Sequence, residues 1–177
     1  SGPGGQRRGL RMMKPYCRLY ARGALHYQYA LALLSSGRMI EGWDQYEFRW
    51  LQEPLLSWRP NFVRPIWSGQ DLRGKTILLR AEQGHGDFIQ FIRYAPRIKA
   101  LGATVILYVR EELRELVERT PGIDRVLGSS EPYPDFDYYI NLLSVPRILR
   151  TDLDSIPADV PYLLADPSRA SKCKDLI

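Results

Sequence analysis

The sequence predicts an α/β protein: a small parallel Rossmann-like sheet of about four strands flanked by helices, preceded by a helical hairpin. Three observations carry this expectation. From residue 72 onward short apolar runs alternate with helix-period segments, an order that calls for parallel strands joined by right-handed crossovers. The run Leu78-Leu79-Arg80-Ala81-Glu82-Gln83-Gly84-His85-Gly86-Asp87-Phe88-Ile89-Gln90-Phe91 passes from a strand through a glycine pair straight into a helix. Residues 23–50 carry helical spacing, broken once at Ser35-Ser36-Gly37.

The elements follow in order. Residues 1–22 form a basic, Gly-rich leader, partly disordered or with a short helix through Met12, Met13, Tyr16, Leu19 and Tyr20. Residues 23–51 form the hairpin. Leu25, Tyr29, Leu33 and Leu34 mark one face of its first helix, and Ile40, Trp43, Tyr46 and Trp50 mark its second. Ala30 and Gly42 are small enough to let the two helices approach closely.

Residues 52–70 hold Pro54, Pro60 and Pro65 beside Trp58, Phe62 and Trp67, which predicts an irregular strap lying against both flanking units. Residues 71–165 form the α/β unit. Its strands are expected at 75–81, 104–109, 125–127 and 137–142, in the order 3-2-1-4. Its helices are expected at 87–101, bent by Pro96 and ended by Gly102, at 111–119, and at 144–149. Residues 166–177 begin a further helix.

Composition narrows the function classes. Charged residues make up 25% of the 177 and apolar residues 45%, ordinary for a globular chain. No apolar run reaches membrane-spanning length. Cys17 and Cys173 are the only cysteines, without metal-ligand spacing or scaffold density, which points to a reducing cytoplasm. Only His26 and His85 are histidines, so a zinc site built from several His ligands is excluded and no metal site is expected. Residues 1–65 carry ten Lys/Arg against four Asp/Glu, while residues 66–177 carry fifteen against sixteen. The basic surplus therefore sits outside the α/β unit. No nucleic-acid-binding motif accompanies it, and nucleic acid is not an expected partner.

The glycine corner is the place for chemistry. In open α/β sheets, ligands bind at the carboxyl ends of the strands, and a strand-to-helix corner leaves backbone N–H groups free there. Gly84 and Gly86 suit a tight turn because glycine accepts positive φ and lets a ligand near the backbone. A dinucleotide fingerprint would need glycine where Ile89 stands, and the nearest acidic residue for its ribose is Glu111, so that motif is incomplete. No Lys-Ser/Thr follows the glycines, which excludes a P-loop; no cofactor is expected.

Asp87 has two readings. Asp87-x-x-Gln90 has capping-box form, and spacing alone favours the cap. Asp87 also suits a general base toward an acceptor hydroxyl, with Arg93 and nearby N–H groups holding a polar substrate. His85, at the loop tip, either binds a phosphate or hydroxyl or is simply exposed. His26 reads as structural, and Asp135 and Asp137 as residues flanking the start of a strand.

The hairpin pattern Ala-Leu-x-Leu-Leu-x-x-Gly-x-x-x-Glu-Gly-x-x-x-Tyr-Glu resembles one tetratricopeptide repeat. Further along stand Ile66-Trp67-Ser68-Gly69, Leu72-x-Gly74-Lys75-Thr76-Ile77-Leu78-Leu79, Ala81-Glu82-Gln83-Gly84-x-Gly86-Asp87-x-Ile89-Gln90-Phe91-x-Arg93-Tyr94-Ala95-Pro96, and Ile156-Pro157-Ala158-Asp159-Val160-Pro161-Tyr162-Leu163. Together, over residues 23–165, they resemble bacterial tetratricopeptide-repeat proteins whose C-terminal part is glycosyltransferase-like, distantly similar to heptosyltransferases and O-linked N-acetylglucosamine transferases.

The resemblance implies a glycosyltransferase B fold of two Rossmann-like halves, with this chain matching the repeat and the first, acceptor-side half. It implies that Asp87 is the acceptor-activating base, and that Gln83, Gly84, His85, Gly86, Gln90 and Arg93 line the substrate site. His85 stands where an apolar residue is usual, and Phe88 where a smaller one is. The implied reaction moves a sugar from a nucleotide sugar to a hydroxyl of a glycan or protein. The donor would bind only with the second half, which is expected after Ile177, so the chain alone is expected to be inactive. The hairpin would offer a protein-binding surface. The alternative from another class is a non-catalytic module in which repeat and Rossmann-like unit together bind a protein partner.

Overall fold

The computed structural model of the chain describes residues 23–82 and 84–167. The leader with Cys17, Gln83, and residues 168–177 with Cys173 lie outside the described residues. The chain divides into two compact units, one built from the residues up to Val63 with Ser144–Ile156, the other from Arg64–Leu143 with the segment from Pro157. The division falls inside the Pro/Trp-rich stretch.

The first unit is helical. Helix α1 (Gly23–Ser35) buries Tyr29, Ala30 and Leu33. It ends in a Schellman turn: the Arg38 N–H donates to the Leu33 carbonyl and the Gly37 N–H to the Leu34 carbonyl, both at 3.0 Å, with Gly37 at φ 79°. Helix α2 (Met39–Tyr46) follows, then a 3-10 turn, Glu47–Leu51. Gly42 allows the close approach of the two helices, since a Cβ there would stand 2.6 Å from Leu34 Cδ2. His26 is structural: its Nδ1 lies 2.6 Å from Gln45 Oε1, and its ring stacks on Phe48 at 3.9 Å.

A buried ionic network closes this unit. The fully buried Arg49 donates to Glu47 Oε1 and to Ser144 Oγ, both at 2.7 Å, and Ser144 Oγ donates to Glu47 Oε2 at 3.1 Å. The Arg49 guanidinium also lies 4.8 Å from the Tyr46 ring centroid. Asp44 accepts from Arg147 and Arg150, and the Trp43 indole donates to the Thr151 carbonyl at 3.1 Å. These contacts bind helix α2 to the segment carrying a short later helix, Val145–Ile148.

The second unit is the α/β part. Its elements are β1 (Thr76–Arg80), α3 (His85–Phe91), a 3-10 turn (Ile92–Tyr94), α4 (Ala95–Lys99), β2 (Thr104–Val109), α5 (Glu111–Val117), β3 (Arg125–Gly128) and β4 (Tyr138–Asn141). The strands form one parallel sheet in the order β3-β2-β1-β4, the expected fold class and order. Ile77, Leu78 and Leu79 are wholly buried, as are Val105 and Leu107, because strands covered on both faces read as continuous apolar runs. Phe88, Phe91, Ile92, Ala95 and Ile98 supply the buried face of the helical segment, as their spacing requires.

Two expectations about that segment are corrected. The single helix over 87–101 is divided, because Pro96 has no N–H to donate and its ring crowds the carbonyl of Ile92; the chain tightens into a 3-10 turn instead. The helix also begins two residues earlier, at His85, with Gly84 as N-cap and no side-chain capping bond. Asp87 is therefore its third residue, and the Asp87 cap is absent.

The amino edge of the sheet is fastened by two aspartates in the same way. The Asp137 N–H donates to the Thr76 carbonyl (2.9 Å) while its Oδ2 accepts the Thr76 N–H (2.8 Å). The Asp124 N–H donates to the Val105 carbonyl (2.9 Å) while its Oδ2 accepts the Val105 N–H (2.7 Å). Each locks the start of one strand to its neighbour. Outside β4, Ile66 adds a parallel bridge to Tyr139, with the Trp67 N–H donating to the Tyr139 carbonyl at 2.8 Å.

Candidate functional site

Strand order fixes where a ligand fits. The chain runs from β1 outward to β2 and β3, then returns to place β4 on the other side of β1, so the topological switch point lies between the carboxyl ends of β1 and β4. The described residues there are Arg80, Ala81, Glu82 and Gly84 to Asp87 from one loop and Asn141 to Leu143 from the other.

Gly84, His85 and Gly86 are all exposed. Gly84 has φ −80° and ψ 164°, ordinary extended backbone, and Gly86 is not among the positive-φ glycines. The glycines are thus not there for a left-handed turn, and the expectation of positive φ is corrected. The other reason fits: a Cβ at Gly86 would meet nothing within 4 Å, and one at Gly84 would meet only Asp87 Oδ2, at 3.6 Å. The corner is bare.

Asp87 is half-buried, and its carboxylate has no hydrogen-bond or ion-pair partner among the described residues. A carboxylate fixed on a helix yet unengaged can accept a proton from an incoming hydroxyl. Gln90 is exposed one turn on, about 60° round the helix from Asp87. His85 projects from the tip with no described partner.

Arg93 is engaged elsewhere. Its Nη1 donates to the Pro157 carbonyl at 3.1 Å, and its guanidinium lies 4.5 Å from the Tyr162 ring centroid. It stands in the 3-10 turn beyond the helix that carries Asp87. The structure brings Gly84, His85, Gly86, Asp87 and Gln90 together and assigns Arg93 to the 157–162 segment.

Sequence reasoning passed over a second group. Arg80, the last residue of β1, is in register with Tyr108 on one side and Asn141 on the other, so the three share one face of the sheet. Arg80 Nη1 donates to Asn141 Oδ1 at 3.2 Å, and its Nε is buried without a partner among the described residues. The Tyr108 hydroxyl donates to the Ser129 carbonyl at 3.0 Å, and its ring packs 4.6 Å from that of Tyr133. Burial first, then a hydrogen bond with Tyr133, pushes the Tyr108 phenol up to about 12, against the opposing pull of Arg80. The buried Glu82 accepts the Leu143 N–H at 3.1 Å, which ties the two loops together. The signal was available: Ile-Leu-Leu-Arg and Tyr-Tyr-Ile-Asn each close an apolar strand on a polar residue at its carboxyl end.

Among the described residues no group of three or more His, Cys, Asp or Glu side chains is placed to hold a metal ion, and no helix is long and apolar enough to cross a membrane. No model of a protein family matches the chain, and no solved structure matches it. The chain is similar to Protein FlbA of Caulobacter vibrioides, with 35% identity over 170 residues. The match covers 85% of this chain and 28% of the relative, so the chain spans less than a third of the protein with which it shares this partial homology.

Proposed function

We propose that this chain is the acceptor-side half of a glycosyltransferase-like protein that moves a sugar from a nucleotide sugar to a hydroxyl. The observation that carries the reading is the unengaged Asp87 carboxylate beside a bare backbone corner at the sheet's switch point. Asp87 takes the proton of the acceptor hydroxyl as its oxygen bonds to the anomeric carbon; the bond from that carbon to the nucleotide's phosphate oxygen breaks, and the nucleotide leaves with the electron pair. Gly84 and Gly86 admit the acceptor close to the main chain, and His85 and Gln90 are its polar neighbours. Arg93 acts one step away, by holding the 157–162 segment against the helix.

In this reading the donor sits on a second Rossmann-like half, facing the first as in the glycosyltransferase B arrangement. The residue 23–51 hairpin is a tetratricopeptide-like unit that offers a face to a protein partner. Two cysteines in 177 residues fit a reducing cytoplasm.

The test is transfer itself. The protein that carries this chain, incubated with a panel of nucleotide sugars and hydroxyl-bearing glycans or peptides, should give a glycosylated acceptor and an equal amount of free nucleotide. The 177 residues alone should give neither. Nucleotide release at the same rate without any acceptor, or no product across the panel, contradicts the proposal.

A further inference from the structure

The interior positions of the two central strands, Ile77, Leu78 and Leu79 in β1 and Val105, Ile106 and Leu107 in β2, are apolar and buried, yet the residue that follows in each is not. Arg80, Tyr108 and Asn141 stand side by side where the carboxyl ends of β2, β1 and β4 meet the switch point. Arg80 is half-buried, and its hydrogen-bonded partner there is the neutral amide of Asn141. Among the described residues no carboxylate lies within ion-pair distance of it. The nearby acid in sequence, Glu82, presents Oε1 to the Leu143 N–H. A guanidinium taken partly out of water without a counter-charge is costly, and an unpaired buried N–H adds to that cost. On the same face of β1, Leu78, two residues earlier, fills its position with hydrocarbon.

We propose that Arg80 is the anchor of an oxyanion subsite, which takes a carboxylate or phosphate carried by the ligand bound at this edge. One edge of the guanidinium is held by Asn141, which fixes the plane of the fork. The Nε is buried and has no acceptor among the described residues, so an oxyanion that reaches this edge would supply the missing partner. Tyr108 is a phenol, neutral at neutral pH, and brings no competing negative charge. The Tyr108–Tyr133 pair walls the side of the subsite toward β2. The inference deepens the reading of the neighbouring corner: an acceptor seated by Asp87 would be acidic, an acid sugar or a phosphate-bearing one.

Arginine Nε–H resonances of the chain, followed by NMR, read this subsite without any turnover. Titration with inorganic phosphate and, separately, with glucuronate should move the Arg80 Nε–H signal saturably in the low-millimolar range, while glucose should not. The signal is assigned by its loss in Arg80→Gln. Asn141→Asp supplies an internal counter-charge and should weaken the response about tenfold without removing Arg80. A response to phosphate alone assigns a phosphate-bearing ligand, and to glucuronate alone an acid sugar; a response to both assigns a general oxyanion subsite. No saturable shift with either anion, or an undiminished one in Asn141→Asp, overturns the proposal. Because no catalysis is involved, that failure would leave the role of Asp87 standing, and loss of the Asp87 role would leave Arg80 untouched.

Discussion

Asp124 and Asp137 do the same work on opposite sides of the sheet, and their chemistry gives it a pH dependence. A hydrogen bond from the Thr76 N–H, helped by Lys75, holds the Asp137 carboxyl below its ordinary value of 3.8. Burial pushes Asp124 up, but hydrogen bonds from Lys99 and from the Val105 N–H outweigh it, and its carboxyl is lowered too. A depressed carboxylate stabilises the fold above its unfolded value, and that contribution is lost as pH falls through the folded one. Both side chains are partly exposed, which keeps the effect to about 1 kcal/mol each. Asp124→Asn combined with Asp137→Asn should therefore unfold earlier in urea at pH 7, and the gap from the parent should close as pH drops below about 4. A gap independent of pH would mean that the charges are idle. Asp137 was legible in the sequence as flanking a strand start. Asp87 was half legible: its spacing to Gln90 suggested a cap, but a capping box reads the same whether the helix starts at Asp87 or two residues earlier.

Among the elements, the α1–α2 pair was the most readable, because a bundle interface needs small residues where axes converge and Ala30 and Gly42 supply them. Gly42→Val tests it. Its Cβ would crowd Leu34 Cγ at 2.7 Å and the Leu34 amide nitrogen at 3.1 Å, so backbone as well as side chain must yield. The expected cost is about 1–3 kcal/mol, read as a lowered urea midpoint with an unchanged slope. A neutral result would show that the helices are not in close contact there. The divided helix after the glycine corner was less readable. Pro96 announced a bend, but a 3-10 turn over Ile92–Tyr94 keeps Phe91, Ile92, Ala95 and Ile98 facing the core, so the hydrophobic period gives no sign of it. The Arg49–Glu47–Ser144 network lay beyond sequence reasoning, since it joins residues 95 apart that no local pattern connects.

At the scale of the whole molecule, the parallel sheet and its order followed from the alternation of strands and helices, because right-handed crossovers leave few ways to lay four strands side by side. That order creates the switch point and so the place where Arg80, Asn141, the bare corner and Asp87 gather. The switch point, where the candidate site lies, was therefore legible in the sequence. The Arg80 row was not, because register across strands decides it and register is invisible until the strands are paired. The central claim is that Asp87 is a working base. In the protein that carries this chain, Asp87→Asn keeps the size of the side chain and removes its basicity, and because Asp87 makes no capping bond, little stability should be lost. The measurement is the rate of sugar transfer by Asp87→Asn beside its melting temperature. A fall in kcat of about 100-fold or more at an unchanged melting temperature is the predicted result; turnover within about threefold of the parent would contradict it.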